Sequence, residues 1–142
     1  MAANTSPIYS SLGDIQWTTT PLTAANTALD GTGTVSTVIS ASASGSFVQR
    51  LRIKASGSVS ASVLRVFINN GQSNATSSNN TLFDEITVAA VTVSQTAAST
   101  TYELPMNIAL PPAYRINASI GTASGLGGGW LVTAVGGSYL PM

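Results

Sequence analysis

The chain has 142 residues, the size of one domain, and its five basic and five acidic residues give a formal net charge of +0. It contains no cysteine and no histidine, which excludes disulfides, thiolate nucleophiles, imidazole bases and ordinary zinc or iron sites, so we predict a non-enzymatic protein without cofactors. Because no surplus of lysine and arginine is available to neutralise phosphates, we also predict no binding to nucleic acid.

The N-terminal part of the sequence differs from the rest. Residues 1–13 have weak hydrophobic periodicity and include Pro7, so we expect them to form an extended N-terminal arm. They show no basic region followed by an apolar run, and we expect no secretory signal. No apolar stretch of the chain approaches the roughly 18 residues of a membrane-spanning helix, so no membrane partner is predicted.

Residues 14–142 alternate between hydrophobic and polar positions, and clusters of Ser, Gly, Asn and Pro separate the alternating runs. A period of two is typical of β-strands with one buried side and one solvent-facing side. Turn sequences such as Asn70-Gly71 favour antiparallel connections between these strands. The eight predicted strands are residues 14–20, 33–41, 46–55, 59–69, 82–93, 101–110, 113–121 and 129–136.

The third predicted strand separates its side chains clearly. Leu51 and Ile53 fall on the inward side together with Phe47, while the basic residues alternate on the opposite side. Val48 shares the outward parity in a regular strand. Apolar residues on sides predicted to be wet suggest contacts between subunits, and we predict a homo-oligomer on this basis. The apolar residues in question are Val48, Val63 and Phe67.

Four of the five basic residues lie on the third and fourth predicted strands. If these two strands pair, their basic side chains form one positive patch. One interpretation is a solvated face that keeps a charge-poor protein soluble. The other is a partner-docking site that orients the protein toward an acidic protein surface. The predicted docking residues are Arg50, Arg52, Lys54 and Arg65.

Two later strands contain irregularities. The fifth run changes phase between Ile86 and Val91, and a β-bulge near Ala89 and Ala90 is predicted to restore the alternation. The sixth run contains Pro105, which has no N–H to donate to a neighbouring strand. We therefore predict that the sixth strand lies at a sheet edge or at a break in the ladder.

Eight short strands without crossover helices predict an all-β fold in which residues 14–142 form a single antiparallel two-sheet β-sandwich domain. A jelly roll is the leading topology, and an immunoglobulin-like sandwich is the alternative. Acid–base chemistry is not expected at Asp84 and Glu85, because neighbouring residues on a strand point to opposite faces and cannot flank one bond. Asp30, which precedes Gly31, is predicted to fix a turn.

Several short strings resemble small virion-associated proteins of tailed bacteriophages. They are TPLTAANTALDGTG at residues 20–33, RLRIKA at 50–55, RVFINNG at 65–71 and GWLVTAVGG at 129–137. The resemblance implies a capsid decoration, or cement, protein that binds the major capsid protein on the outer capsid surface of the virion and assembles as a homotrimer. It implies no catalytic residues.

The alternative function is a fibre-associated module that binds a receptor or a glycan. In that case the exposed aromatic residues, with Trp17 and Trp130 as the candidates, would stack on sugar rings. Aromatic residues make up only 6% of the chain, and most of them can be placed in the core. We therefore expect the decoration protein first and the fibre module second.

Overall fold

The structure is a computed structural model that describes residues 12–140. Eight strands make up nearly all the regular structure in this part of the chain, so the predicted all-β fold is confirmed and every predicted strand has a counterpart. Within these residues, no helix is long and apolar enough to cross a membrane. The strands are β1 (Leu12–Trp17), β2 (Ser36–Ser40), β3 (Ser46–Ala55), β4 (Ser62–Asn69), β5 (Asn80–Val88), β6 (Tyr102–Leu110), β7 (Arg115–Ile120) and β8 (Trp130–Ser138), and a 3₁₀ turn spans Ser77–Asn79.

The predicted N-terminal arm, residues 1–13, lies almost entirely outside the described residues. Only Leu12 and Gly13 of this segment are described, and both belong to β1. The β-sandwich that follows is built from two four-stranded sheets that pack against each other.

The strand order identifies the topology as a jelly roll. One sheet has the order β1-β8-β3-β6 and the other β2-β7-β4-β5, with antiparallel pairing throughout. The pairs β1–β8, β2–β7, β3–β6 and β4–β5 are nested, so the chain forms one long hairpin that is rolled into two sheets. The immunoglobulin-like alternative is wrong, because in that fold the first strand lies beside the second rather than beside the last.

The core lies between the two sheets and consists of inward-facing aliphatic residues from both. Trp130, at the start of β8, is fully buried, and the Tyr102 ring meets it edge-on with 6.1 Å between ring centroids. Removing these side chains from water is the main favourable contribution to folding. Other fully buried members of the core are Val38, Ile39, Val48, Leu51, Ile53, Val59, Leu64, Val66, Ile116 and Ile120.

A β-bulge at Gln49 changes the parity of β3. The register with β8 shifts between Val48 and Arg50, so Gln49 is an extra residue without an opposite partner. Val48 therefore points inward with Leu51, and it is fully buried. The prediction that Val48 lies on a wet face is wrong, because alternation counted along one strand cannot detect a bulge. Downstream of the bulge, the outward positions are those predicted.

The irregularities in β5 and β6 are partly as predicted. Pro105 lies in β6, which is an edge strand, and this prediction is confirmed. The predicted bulge at Ala89 and Ala90 is instead a gap in the pairing: β5 ends at Val88, and Val91 then forms an isolated bridge with Val59. The Ala89 N–H donates to the Tyr102 hydroxyl at 2.9 Å instead of joining the ladder. The bulge in β5 lies at Phe83, where the register with β4 shifts.

After Thr18 and Leu22, which bond to β8, the chain passes to the other sheet. Residues 25–34, here called the crossing segment, run across the outer face of the β2-β7-β4-β5 sheet. The Asn26 N–H donates to the Ile120 carbonyl at 2.7 Å, and the Asn26 carbonyl accepts from the outward-pointing Arg65 at 3.2 Å. The side-chain amide of Asn74 reaches the Gly31 and Gly33 carbonyls at 3.2 and 3.0 Å. These bonds attach the segment to the sheet at several points.

The crossing segment explains why outward-pointing residues of this sheet are buried. Phe67 points outward on β4 but has no solvent exposure, and its neighbours across the sheet include Asn117, which is also buried. The prediction that Phe67 lies on a wet face is therefore wrong. Val63 is half-buried. Two of the three apolar residues expected at a subunit contact are thus covered by their own chain.

Candidate docking surface

The outer face of the β1-β8-β3-β6 sheet presents an exposed surface that the register assembles from four strands. Residues that pair across antiparallel strands point to the same side of the sheet, so outward residues form rows across it. One row contains Trp17, Thr133, Arg52 and Glu103. We call the whole surface the open face. Its members are Ile15 and Trp17 from β1, Leu131, Thr133 and Val135 from β8, Arg50, Arg52 and Lys54 from β3, and Glu103 and Pro105 from β6.

The basic residues of β3 share this face, as the alternation of β3 predicts. Arg50, Arg52 and Lys54, here called the basic row, occupy every second position along β3. The Cα atoms of successive members are therefore about 6.6–6.8 Å apart. The Lys54 ammonium donates to the Ser99 carbonyl at 2.9 Å and to the Thr101 hydroxyl at 3.3 Å. These bonds hold the end of the row in place beside the chain that leads into β6.

Among the described residues, Glu103 is the one carboxylate that forms ion pairs with this row. Its Oε1 atom lies 3.3 Å from Arg52 Nε and 3.9 Å from Arg50 Nε. All three side chains are 41–50% exposed, and such surface pairs contribute only about 0.2–1 kcal/mol each and are weakened by salt. Three cations and one carboxylate leave the row a formal charge of +2. The open face is therefore positive on a protein that is neutral overall.

Beside the basic row, the open face is apolar. Ile15 and Trp17 are each 58% exposed on β1, the edge strand next to β8. Between Ile15 and the basic row, a shallow groove of about 440 Å³ has β8 as its floor. Adjacent exposed apolar side chains of this size on one flat surface are characteristic of sites that bind a partner. The groove is lined by Ile15, Arg52, Lys54, Thr101, Leu131, Thr133 and Val135.

Arg65 does not belong to this surface. It lies on β4, and β3 and β4 belong to different sheets, so the pairing on which the four-residue patch depends does not occur. On the opposite side of the sandwich, Arg65 Nε bonds to Glu85 Oε1 at 2.8 Å, and its side chain is only 15% exposed. Together with its bond to the Asn26 carbonyl, this arrangement makes Arg65 an anchor for the crossing segment.

The acidic side chains that could take part in catalysis or metal binding are bonded to neighbouring parts of the chain instead. In residues 12–140 there is no group of three acidic, histidine or cysteine side chains placed to hold a metal ion. Asp84 Oδ1 accepts a bond from the Glu85 N–H at 2.7 Å. The Thr32 hydroxyl and N–H both donate to Asp30 Oδ1, at 2.6 and 3.1 Å, and these bonds lower the pKa of the Asp30 carboxyl. Asp30 thus fixes a turn, as predicted.

Sequence reasoning missed the apolar half of the open face. The parity of Ile15 and Trp17, and that of Leu131 and Val135, is visible in the sequence. That these residues form one surface follows only when β8 is known to lie between β1 and β3. The pairing of β1 with β8 joins segments more than a hundred residues apart. The sequence likewise contains Glu103, but it does not indicate that this carboxylate pairs with the basic row.

Comparisons with known proteins give no further guide to this surface. No family model matches the chain, and no curated protein or solved structure is significantly similar to it.

Proposed function

We propose that the protein is a structural virion protein of a bacteriophage, a capsid decoration or cement protein that binds the major capsid protein on the outer capsid surface. The observation that carries the proposal is the open face, where exposed Ile15 and Trp17 lie beside a basic row with a surplus of positive charge. The virion and capsid part of the proposal comes from the resemblance of the sequence strings to phage virion proteins.

The open face has the properties that stable docking needs. Covering the exposed part of Trp17 would contribute about 2–4 kcal/mol, taking 58% of a 150–250 Å² aromatic side chain at about 25 cal/mol per Å². The positive row would steer the protein toward an acidic shell and fix its orientation on arrival. Apolar contact and charge thus act on the same surface.

We further propose a homotrimer, which the resemblance implies. Several copies held together on one shell raise the strength of attachment without any additional contact per copy. In this arrangement the open face stays available to the capsid, and subunits meet elsewhere. Light scattering of the purified protein at micromolar concentration measures its mass, and a monomer under these conditions would contradict the trimer.

Binding to shells of the parent phage that lack this protein tests the function. We expect the protein to sediment with these shells in numbers proportional to the capsid lattice, and to protect them against heat or dilution. The double variant Ile15→Ser/Trp17→Ser should bind at least tenfold more weakly, because it removes the apolar half of the open face. A matched double variant on exposed apolar residues outside the open face, Leu29→Ser/Phe83→Ser, should bind as the wild type does.

Either of two results would contradict the proposal. If the protein is absent from purified virions, or does not bind the shells at any accessible concentration, it is not a decoration protein. Binding that is unchanged in Ile15→Ser/Trp17→Ser but lost in Leu29→Ser/Phe83→Ser would move the docking surface to the other side of the sandwich.

A fibre module that binds glycans is the second candidate, and the exposed indole of Trp17 favours it, since aromatic rings stack on sugars. Trp130 is fully buried and is not available for this role. Because Trp17 is exposed and Trp130 is not, a change in tryptophan fluorescence on adding saccharides would report binding at Trp17. A few copies per virion, located at the tail or fibres, would support this candidate over the decoration protein.

A further inference from the structure

The groove on the open face has two chemically different walls. Its floor is the outward side of β8, where Thr133 is the small residue between Leu131 and Val135. Arg52 and Lys54 on β3 form one wall, and Ile15 on β1 forms the other. Because β8 lies between β3 and β1, the groove follows the strand direction, with positive charge along one side and apolar surface along the other.

We propose that this groove binds an extended segment of the partner protein in which acidic and apolar residues alternate. The proposal rests on the proposed docking function and specifies its chemistry. Side chains of an extended segment point alternately to two sides and repeat on each side every 6.6–6.8 Å or so. Arg52 and Lys54 are separated by the same two-residue step. A segment lying along β8 therefore directs its carboxylates to the basic row and its apolar side chains to Ile15 and Trp17.

Charge complementarity favours this partner over a second copy of the chain. Two open faces brought together would place two surplus charges of +2 against each other, and like charges across an interface are unfavourable. The chain also has no stretch of its own in which acidic residues occupy alternate positions: Asp84 and Glu85 are adjacent, and the other three acidic residues stand alone. The occupant is thus a different, acidic protein.

Glu103 allows a test in which two substitutions should change the affinity for an acidic segment in opposite directions. It contacts Arg52 from β6, on the side of the basic row away from the groove, and competes with an incoming carboxylate for the same guanidinium. Glu103→Gln should therefore strengthen binding of an acidic segment, whereas Arg52→Gln should weaken it. Glu85→Gln is the matched control, because it removes the same charge on the opposite side of the sandwich.

The experiment uses two synthetic, end-capped hexapeptides of identical composition and the full chain labelled with ¹⁵N. In one peptide aspartate and isoleucine alternate, and in the other three aspartates precede three isoleucines. We expect the alternating peptide to bind at least about fivefold more tightly and to shift amide signals of β8 and β3. Arg52→Gln should lower its affinity about two- to fivefold, Glu103→Gln should raise it by a similar factor, and Glu85→Gln should leave it unchanged.

A second kind of variant separates groove binding from charge alone. Thr133→Tyr fills the floor of the groove without altering any charge, and it should abolish the preference for the alternating peptide. Equal binding of the two peptides, or an unchanged preference in Thr133→Tyr, would overturn the proposal. If either result accompanies normal binding to phage shells, the groove chemistry is wrong and the docking function stands. If the peptide binds as expected but shells do not, the docking function is wrong.

Discussion

Replacing Phe67 with alanine should destabilise the protein strongly, although Phe67 stands on the outward side of β4. Its ring has no solvent exposure because the crossing segment lies over the sheet. A buried aromatic side chain removes about 150–250 Å² from water, which at about 25 cal/mol per Å² corresponds to roughly 4–6 kcal/mol. Since alanine retains part of this area, we expect the free energy of unfolding to fall by about 3–5 kcal/mol, the usual range for this substitution in a core.

Urea unfolding followed by circular dichroism, at one fixed protein concentration, measures this loss. Phe83→Ala is the matched control, because Phe83 belongs to the same sheet, on β5, but is 40% exposed. It should lose roughly half to two-thirds as much stability as Phe67→Ala, since its ring is already partly in water. A loss below about 1 kcal/mol for Phe67→Ala, or equal losses for both variants, would refute the packing of the crossing segment over the sheet.

Three further predictions concern backbone packing and pH. Gly136→Ala should lower the free energy of unfolding in urea by at least about 1–3 kcal/mol, because the added methyl group would collide with the Phe47 carbonyl. In the control Gly13→Ala the methyl group meets no atom within 4 Å, and stability should change by less than about 0.5 kcal/mol. The bonds from Thr32 lower the pKa of Asp30, so they stabilise the fold above the unfolded-state pKa of about 3.9 and lose their effect as the pH falls through the lower folded-state value. Asp30→Asn should therefore make the loss of stability between pH 5 and pH 2 shallower, and an unchanged profile would contradict this. Docking to shells should have a constant affinity between about pH 5 and 8, because the chain has no histidine. The affinity should fall with added salt, and an affinity independent of salt would argue against a contribution from the basic row.

Much of the fold could be predicted because it depends on local pattern. The number of strands, their approximate positions and the outward direction of Arg50, Arg52 and Lys54 all follow from alternation within short segments. Pro105 marks an edge strand for the equally local reason that it lacks an N–H. None of these inferences required knowledge of a neighbouring strand.

The errors have the opposite origin, because each involves an interaction between distant segments. The bulge at Gln49 is defined by its mismatch with β8 and β6, so alternation along β3 alone predicts the wrong side for Val48. The order of the strands in the sequence predicts that Arg65 joins the basic row, because β3 and β4 are consecutive. Consecutive strands of a jelly roll, however, mostly alternate between sheets. Alternation predicts that Phe67 faces solvent, because it does not reveal that the crossing segment covers that face.

The contrast between the two outer faces is the strongest structural argument for a partner. On one face the chain covers Phe67 with its own crossing segment and secures that segment with Asn26, Asn74 and Arg65. On the other face the equally large Trp17 remains 58% exposed beside Ile15. The exposed part of an indole next to an aliphatic side chain adds nothing to folding, and such a pair favours association. In the proposed docking, the basic row along the same face would select what associates, because it would repel a second copy of the chain and attract an acidic surface. The open face is thus the surface of residues 12–140 on which the proposed partner contact rests, since no other described segment covers it as the crossing segment covers Phe67.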